Sequence, residues 1–282
     1  YVDDALLIYE NKQAVDNLTR KMKKIGMLFE EEDDVAGCLG VLIDRDKDKG
    51  LITLRQGGLA KRIIEALHLD NNSPSSAQTR NPTKGYLPID DAGEPALGLY
   101  NYASVAGMLQ CLQGHSRPDI AFAASQVSRF VHSPKQSHEE ALERIGQHLK
   151  GTANEGLTLC PSSNKGTFPV DVHVDSDFAS GWGTKLGCTP ESVKSRTGFV
   201  IELMSCPVIW CSKLQPCIAT STMEAEYTAL SMSLRATIPF LSIAKSNIIG
   251  LHQSTDDQLV NFRATVHEDN QGALTLANLE PG

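Results

Sequence analysis

Carboxylates gather at three places in this sequence that lie far apart along the chain. Asp171, Asp175 and Asp177 fall in the stretch 170–178, Glu224 and Glu226 at 224–227, and Glu268 and Asp269 at 268–271. An ionisable side chain at the mouth of a buried strand costs stability unless something compensates it. Carboxylate oxygens are hard ligands and suit Mg²⁺ or Mn²⁺. Three carboxylates from separate elements can clamp two such ions about 4 Å apart and direct them at a phosphodiester. The expectation is that Asp175, Glu226 and Asp269 converge as catalytic metal ligands. The plain alternative is three solvated acidic pairs.

Each acid needs an element to carry it. Val170, Val172 and Val174 recur with period two and share a buried face, leaving Asp171, His173 and Asp175 on the other. This strand is expected to end at Asp175, with Asp177 beyond it. Residues 197–204 and 208–213 read as two more strands, with Ser205-Cys206-Pro207 as a tight turn. Residues 224–234 read as a helix in which Glu226 has Thr222 at i−4 and Leu230 at i+4, while Glu224 points elsewhere. Pro239 should break or restart this helix. Residues 264–267 read as a strand leading into Glu268-Asp269, and 272–277 as a helix. The order is strand-strand-strand-helix-strand-helix.

Upstream, Tyr1-Val2-Asp3-Asp4 opens what reads as a hairpin with its acids at the turn. Residues 12–26 carry Val15, Leu18, Met22 and Ile25 at helical spacing, with Gly26 as a stop. Residues 38–43 and 50–54 read as strands joined by a charged turn. Its D-x-D-x-D run lacks the glycine and the final glutamate of a calcium loop. Residues 56–69 read as a helix with Leu59, Ile63, Ala66 and Leu67 inward, and 71–98 as a linker or long surface loop. From 99 to 151 the pattern is helical. Ser116 is expected to cap the helix start at Pro118, and Ser137-His138-Glu139-Glu140 reads as a capping box. Gly146 inside its helix should cost about 1 kcal/mol relative to alanine.

The chain has 282 residues, 41% hydrophobic and 21% charged, an ordinary globular composition. No apolar run reaches the length of a bilayer span. Seven cysteines without a C-x-x-C pair suggest a reducing, intracellular setting. The formal net charge of −8 is uneven: residues 1–53 carry −4, 54–167 carry +1 and 168–282 carry −5. A phosphate backbone would follow the middle of the chain, and cations would be needed at its acidic ends.

Six motifs in order resemble those of the C-terminal part of the Pol polyprotein of copia-type LTR retrotransposons. Tyr1-Val2-Asp3-Asp4 resembles the Y-V-D-D of the polymerase palm, and Ser116-Arg117-Pro118-Asp119-Ile120-Ala121-Phe122 resembles T-R-P-D-I-x-F. His138, Ala141 and Leu149-Lys150-Gly151-Thr152 are similar to H-x-x-A…L-K-G-T, and Asp175-Ser176-Asp177-Phe178-Ala179 to D-x-D-W-A. Ser212-Lys213, Gln215 and the run from Ala219 to Leu230 resemble S-K-x-Q…A-x-S-S-x-E-A-E-Y-x-A-L, and Asp269-Asn270-Gln271 with Ala273 resembles D-N-Q-x-A.

The resemblance implies a mixed α/β (α+β) chain in three parts. These are the C-terminal part of a reverse transcriptase palm over 1–55, a helical thumb or connection over 56–166 with the linker 71–98, and a C-terminally truncated RNase H-like domain over 167–282. It implies two-metal cleavage of RNA in RNA–DNA hybrids by Asp175, Glu226 and Asp269 with two Mg²⁺ or Mn²⁺ ions, and Asp3 and Asp4 as polymerase metal ligands. Arg117, Arg129, Arg144, Lys150, Lys213 and Gln271 are the residues expected to meet nucleic acid. The implied partners are RNA–DNA hybrid, template-primer and the rest of the polyprotein, with no membrane. The implied setting is the cytoplasm, in virus-like particles, with the nucleus as a second compartment. Departures are a start at the Y-V-D-D motif, an end thirteen residues past Asp269, Phe178 where tryptophan is common, a longer loop over 178–196, and the stretch 235–240. On these grounds no polymerase activity, and weak or absent RNase H activity, is expected of the chain as given. The alternatives are a decayed, non-catalytic transposon copy that at most binds nucleic acid, and a protein-interaction module in the middle helices.

Overall fold

A computed structural model describes residues 11–29, 37–38, 40–69, 82–162, 167–179, 181–182, 190–252 and 261–279. Among them the chain is mixed α/β, with seven α-helices and two four-stranded sheets.

Helix α1 (Lys12–Lys24) forms where the spacing predicts, capped by Asn11, whose side chain accepts from the Gln13 N–H. It closes through Ile25 into Gly26 at φ 88°, a left-handed position that favours glycine. Strands β1 (Gly37–Cys38), β2 (Val41–Asp46) and β3 (Leu51–Arg55) run antiparallel. The charged segment between β2 and β3 makes the expected hairpin turn. The strand reaches Asp46, whose carboxylate accepts from the Lys49 N–H at 3.1 Å.

Helices α2 (Gly57–Ala66), α3 (Tyr102–His115), α4 (Ala121–Ser128) and α5 (Gln136–Gly151) enclose one apolar core. Ile63, Leu109, Leu112, Ile120, Leu142 and Ile145 are buried in it. Two expected caps are wrong. Ser116 does not cap: it is buried and its hydroxyl donates to Gln56 Oε1 at 2.9 Å, and the chain enters α4 through a single 3-10 turn at Pro118–Ile120. At α5 the box is made by Lys135 and His138, with the Lys135 N–H donating to His138 Nδ1 at 3.0 Å. Ser137 already lies inside the helix, and its hydroxyl turns to Asp90. The described part of the expected linker, residues 82–98, has no helix but is docked. The N–H groups of Leu97 and Gly98 donate to the Glu139 carboxylate at 2.7 and 3.1 Å.

Gly146 is explained by contact rather than by helix propensity. A Cβ there would stand 2.4 Å from Leu67 Cδ1 and 2.8 Å from Leu69 Cδ1. In an exposed helix Gly→Ala gains about 1 kcal/mol. Here Gly146→Ala is expected to lose about 1–3 kcal/mol through overpacking, read as a lower melting temperature. A rise would show that α2 and α5 are less tightly packed than described.

Strand β4 (Leu157–Leu159) follows α5 and pairs antiparallel with β3, so the first sheet is ordered β1-β2-β3-β4. The sequence reading lacks this strand because three residues are too few to display alternation.

The second sheet holds β5 (Thr167–Asp177), β6 (Arg196–Leu203), β7 (Cys206–Leu214) and β8 (Asn261–His267) in the order β7-β6-β5-β8. Only the β5–β8 pair is parallel. Helices α6 (Thr222–His252) and α7 (Gln271–Ala277) complete it. Val170, Val172 and Val174 form the buried stripe predicted for them and meet Phe199, Ile201, Ala229 and Leu230. The β6–β7 turn is Met204-Ser205, both at positive φ (54° and 66°), the geometry that matches strand twist. Cys206 and Pro207 already belong to β7. Pro239 does not break α6. Leu234 and Ala236 before it, and Phe240 and Leu241 after it, all pack against the sheet core and hold the two halves in line.

The helical core also rests on this sheet. Trp210 Nε1 donates to the Gln113 carbonyl at 2.8 Å, and Arg196 Nη1 donates to Ser125 Oγ at 2.6 Å. The Arg196 guanidinium lies over the rings of Phe122 and Tyr86. No helix among the described residues is long and apolar enough to cross a membrane.

Candidate metal centre

The three acids singled out by sequence meet at one end of the second sheet. One carboxylate oxygen from each of Asp175, Glu226 and Asp269 lies within 4.8 Å of the others. Asp175 comes from β5, two residues before its end, because the strand runs on to Asp177. Glu226 comes from the first turns of α6, and Asp269 from just beyond β8.

Local chemistry fixes each arm. At the start of α6 the Glu224 N–H donates to Ser221 Oγ at 3.2 Å, and the Glu224 carboxylate accepts from the N–H and hydroxyl of Thr220, both at 2.7 Å. Glu224 is thus a cap, which leaves Glu226 as the acid facing the cluster. Gln215, buried between strand and helix, donates to the Ala225 carbonyl at 2.8 Å and to Thr197 Oγ1 at 3.2 Å. It pins the residue next to Glu226 to β6. The sequence reading met Gln215 only as part of a motif; a glutamine following an apolar strand carries no signal of burial by itself. Asn270 caps α7 by accepting from the Ala273 N–H at 3.0 Å, which sets the turn holding Asp269. Asp171, the other acid on the Asp175 face, is taken up by His267 Nε2 at 2.9 Å. The His267 ring stacks on His173.

The donor set fits a hard divalent cation. All three ligating groups are oxygens, and Glu226 is only 8% exposed with its Oε2 buried and without a hydrogen-bond partner. A buried acceptor with no donor costs free energy that a cation would remove.

Burial, then the negative charges of Glu268, Asp175 and Asp269, push the Glu226 carboxyl up to about 7, against a hydrogen bond from the Ser176 backbone. A raised acid favours the folded state in its protonated form. Its stabilising contribution is complete below the ordinary carboxyl range and is lost as pH rises through about 7. The cation-free chain should therefore melt lower as pH rises across that window. Glu226→Gln should flatten the dependence, and added Mg²⁺ should restore stability above pH 7. Melting curves between pH 5 and 8 check this. A wild-type profile identical to that of Glu226→Gln would contradict it.

Comparison with known proteins finds relatives among transposon polyproteins. The chain is 28% identical over 287 residues to the retrovirus-related Pol polyprotein from transposon TNT 1-94 of Nicotiana tabacum, covering 98% of this chain and 19% of the relative. It is 32% identical over 184 residues to the Pol polyprotein from transposon RE1 of Arabidopsis thaliana, covering 61% and 12%. It is also 30% identical to an uncharacterized mitochondrial protein of Arabidopsis thaliana, covering 83% and 89%. The chain is thus similar to retrovirus-related Pol polyproteins of plant transposons. It spans a fifth or less of the length of the transposon polyproteins it matches. No family model and no solved structure matches it.

The remaining residues expected to act in this chain fall into different places. Asp3 and Asp4 lie outside the described residues. Lys213, on β7, and Gln271, at the start of α7, are exposed. Lys150 is half-buried. Arg129 is half-buried, donates to Gln126 Oε1 at 3.2 Å and lies over the Phe130 ring. Arg144 is half-buried, with its Nε buried and unpartnered. Arg117 is a correction: it is 3% exposed and its guanidinium is taken up by Asp119 and Thr152. No part of it is offered to a phosphate. A motif match carries no information on which way an arginine points.

Proposed function

We propose that this chain is a piece of a transposon Pol polyprotein and carries an RNase H-like part, residues 167–282, whose Asp175, Glu226 and Asp269 hold Mg²⁺ or Mn²⁺ for hydrolysis of the RNA strand of RNA–DNA hybrids. The observation that supports it most is the convergence of three carboxylates from β5, α6 and the end of β8 within 4.8 Å. The element order β5-β6-β7-α6-β8-α7 supports the reading as well. On the same reading, residues 1–55 are the end of a polymerase palm and 56–166 the thumb or connection. The partners are then nucleic acid and the rest of the polyprotein, within the cytoplasm.

Bound divalent cations would supply Lewis-acid activation of water and of the phosphate. The chain's own residues do the positioning. Asp175 and Asp269 offer exposed oxygens at the open side of the centre, where a substrate phosphate can approach. Glu226 supplies the buried side, oriented by the Gln215 tether and the Glu224 cap. Lys213 is exposed on β7 of the same sheet and is available to a phosphate backbone.

A labelled RNA–DNA hybrid incubated with the chain and Mn²⁺ or Mg²⁺ tests the proposal. Metal-dependent cutting of the RNA strand alone is expected, at a low rate in view of the departures named in the sequence. Equal cutting of single-stranded RNA, or cutting that survives chelation, would contradict it.

A further inference from the structure

A fourth acid that the motif comparison does not assign, Glu268, stands beside the centre, and its charge acts on Glu226. β5 and β8 are parallel, with Val172 opposite Val266 and His173 opposite His267. Val266 packs with Val172 into the core under α6. The stacked rings of His173 and His267 stand on the other face, the one that carries Asp171 and Asp175. Continuing that alternation by two residues sends Asp269 to the Asp175 face and Glu268 to the α6 face, toward Glu226. The side chain agrees. Glu268 Oε1 accepts from the Asn270 N–H at 3.0 Å, which fixes the carboxylate, and Glu268 Oε2 is buried without a hydrogen-bond partner.

Glu226 Oε2 and Glu268 Oε2 are thus both buried and unsatisfied, while Glu268 stands just outside the three acids whose oxygens lie within 4.8 Å of one another. Glu226 is more than nine-tenths buried, and its carboxylate belongs to the converging set. Acceptors of like charge cannot satisfy each other, and no donor reaches either oxygen. A divalent cation that drew the Glu268 carboxylate in would satisfy both.

We infer that Glu268 is a fourth carboxylate of the centre, binding divalent cation from the α6 side while Asp175 and Asp269 bind from the open side. This rests on the proposed metal-binding role of the other three acids. It splits the D-N-Q motif's neighbourhood into two functions: Asp269 faces substrate, and Glu268 closes the coordination from behind.

Titration calorimetry of the full chain with MnCl₂ tests it, with far-UV circular dichroism to check folding. Glu268→Gln should weaken Mn²⁺ binding about ten-fold or more, the scale on which supporting groups act at metal sites. Glu268→Asp, which keeps the charge and shortens the reach, should fall between the variant and the wild type. A purely structural glutamate would shift melting without moving Mn²⁺ affinity. Unchanged or tighter Mn²⁺ binding in Glu268→Gln, with the wild type binding Mn²⁺, overturns this inference alone and would indicate a proton shared between Glu226 and Glu268. A wild type that binds no Mn²⁺ overturns both this inference and the proposed function.

Discussion

Replacing Arg117 by alanine is expected to destabilise the chain by about 2–4 kcal/mol, a loss visible as a drop of several degrees in melting temperature. The guanidinium donates through Nε and Nη2 to both oxygens of Asp119 at 2.8 and 2.7 Å, and through Nη1 and Nη2 to the carbonyl and hydroxyl of Thr152 at 2.9 and 2.8 Å. This bidentate pair ties the turn entering α4 to the end of α5. His148 joins it, with Nε2 3.1 Å from Asp119. Breaking a buried pair by removing one partner costs about 3–5 kcal/mol. Asp119 remains 43% exposed and can be hydrated, which lowers the figure.

The pH dependence carries a second check on this network. Burial alone would raise the Asp119 carboxyl, but hydrogen bonds from Arg117 and His148 hold it well below the usual carboxylate range. A depressed acid stabilises the fold above its unfolded value and loses that contribution as pH falls through the folded one. The gap between wild type and Arg117→Ala should therefore narrow in strong acid. Arg117→Lys should recover little, because an ammonium cannot reproduce the fork. An Arg117→Ala variant with unchanged melting and weakened hybrid binding would return this residue to the nucleic-acid surface.

Asp175→Asn is expected to lower hybrid cleavage at least about 100-fold, since groups one step removed from a metal already cost 10–100-fold. The substitution keeps shape and removes the charge that a cation requires. Folding should survive it. Asp175 is exposed, and the valines beside it, not the acid, form the buried contacts with α6. Removing one of several crowded carboxylates should also ease the repulsion on Glu226, so the cation-free variant is expected to melt no lower than the wild type. Lost cleavage together with lost folding would leave the acid with a structural role and contradict the account.

The triad was legible in the sequence because each acid follows a recognisable periodic element. Period two placed Val170, Val172 and Val174 inward and Asp175 outward, and the run around Glu226 had helical partners at i±4. What escaped reading depends on tertiary contact. Arg117 has the same side chain whether it meets a phosphate or Asp119, and only the approach of α5 decides. Glu268 and Asp269 are adjacent acids, and the D-N-Q-x-A match singles out Asp269 alone. Alternation continued past β8 gives both of them a place. Pro239 carried the strongest local signal for a helix break and was overruled by packing on both sides. β4 exists only because β3 offers it an edge.

The most direct test of the metal centre is Mn²⁺ binding to the intact chain, followed by electron paramagnetic resonance, for the wild type, Asp175→Asn and Asp269→Asn. The account predicts saturable binding by the wild type that both substitutions abolish or weaken severely. Binding that is absent from the wild type, or unchanged in both variants, would contradict it.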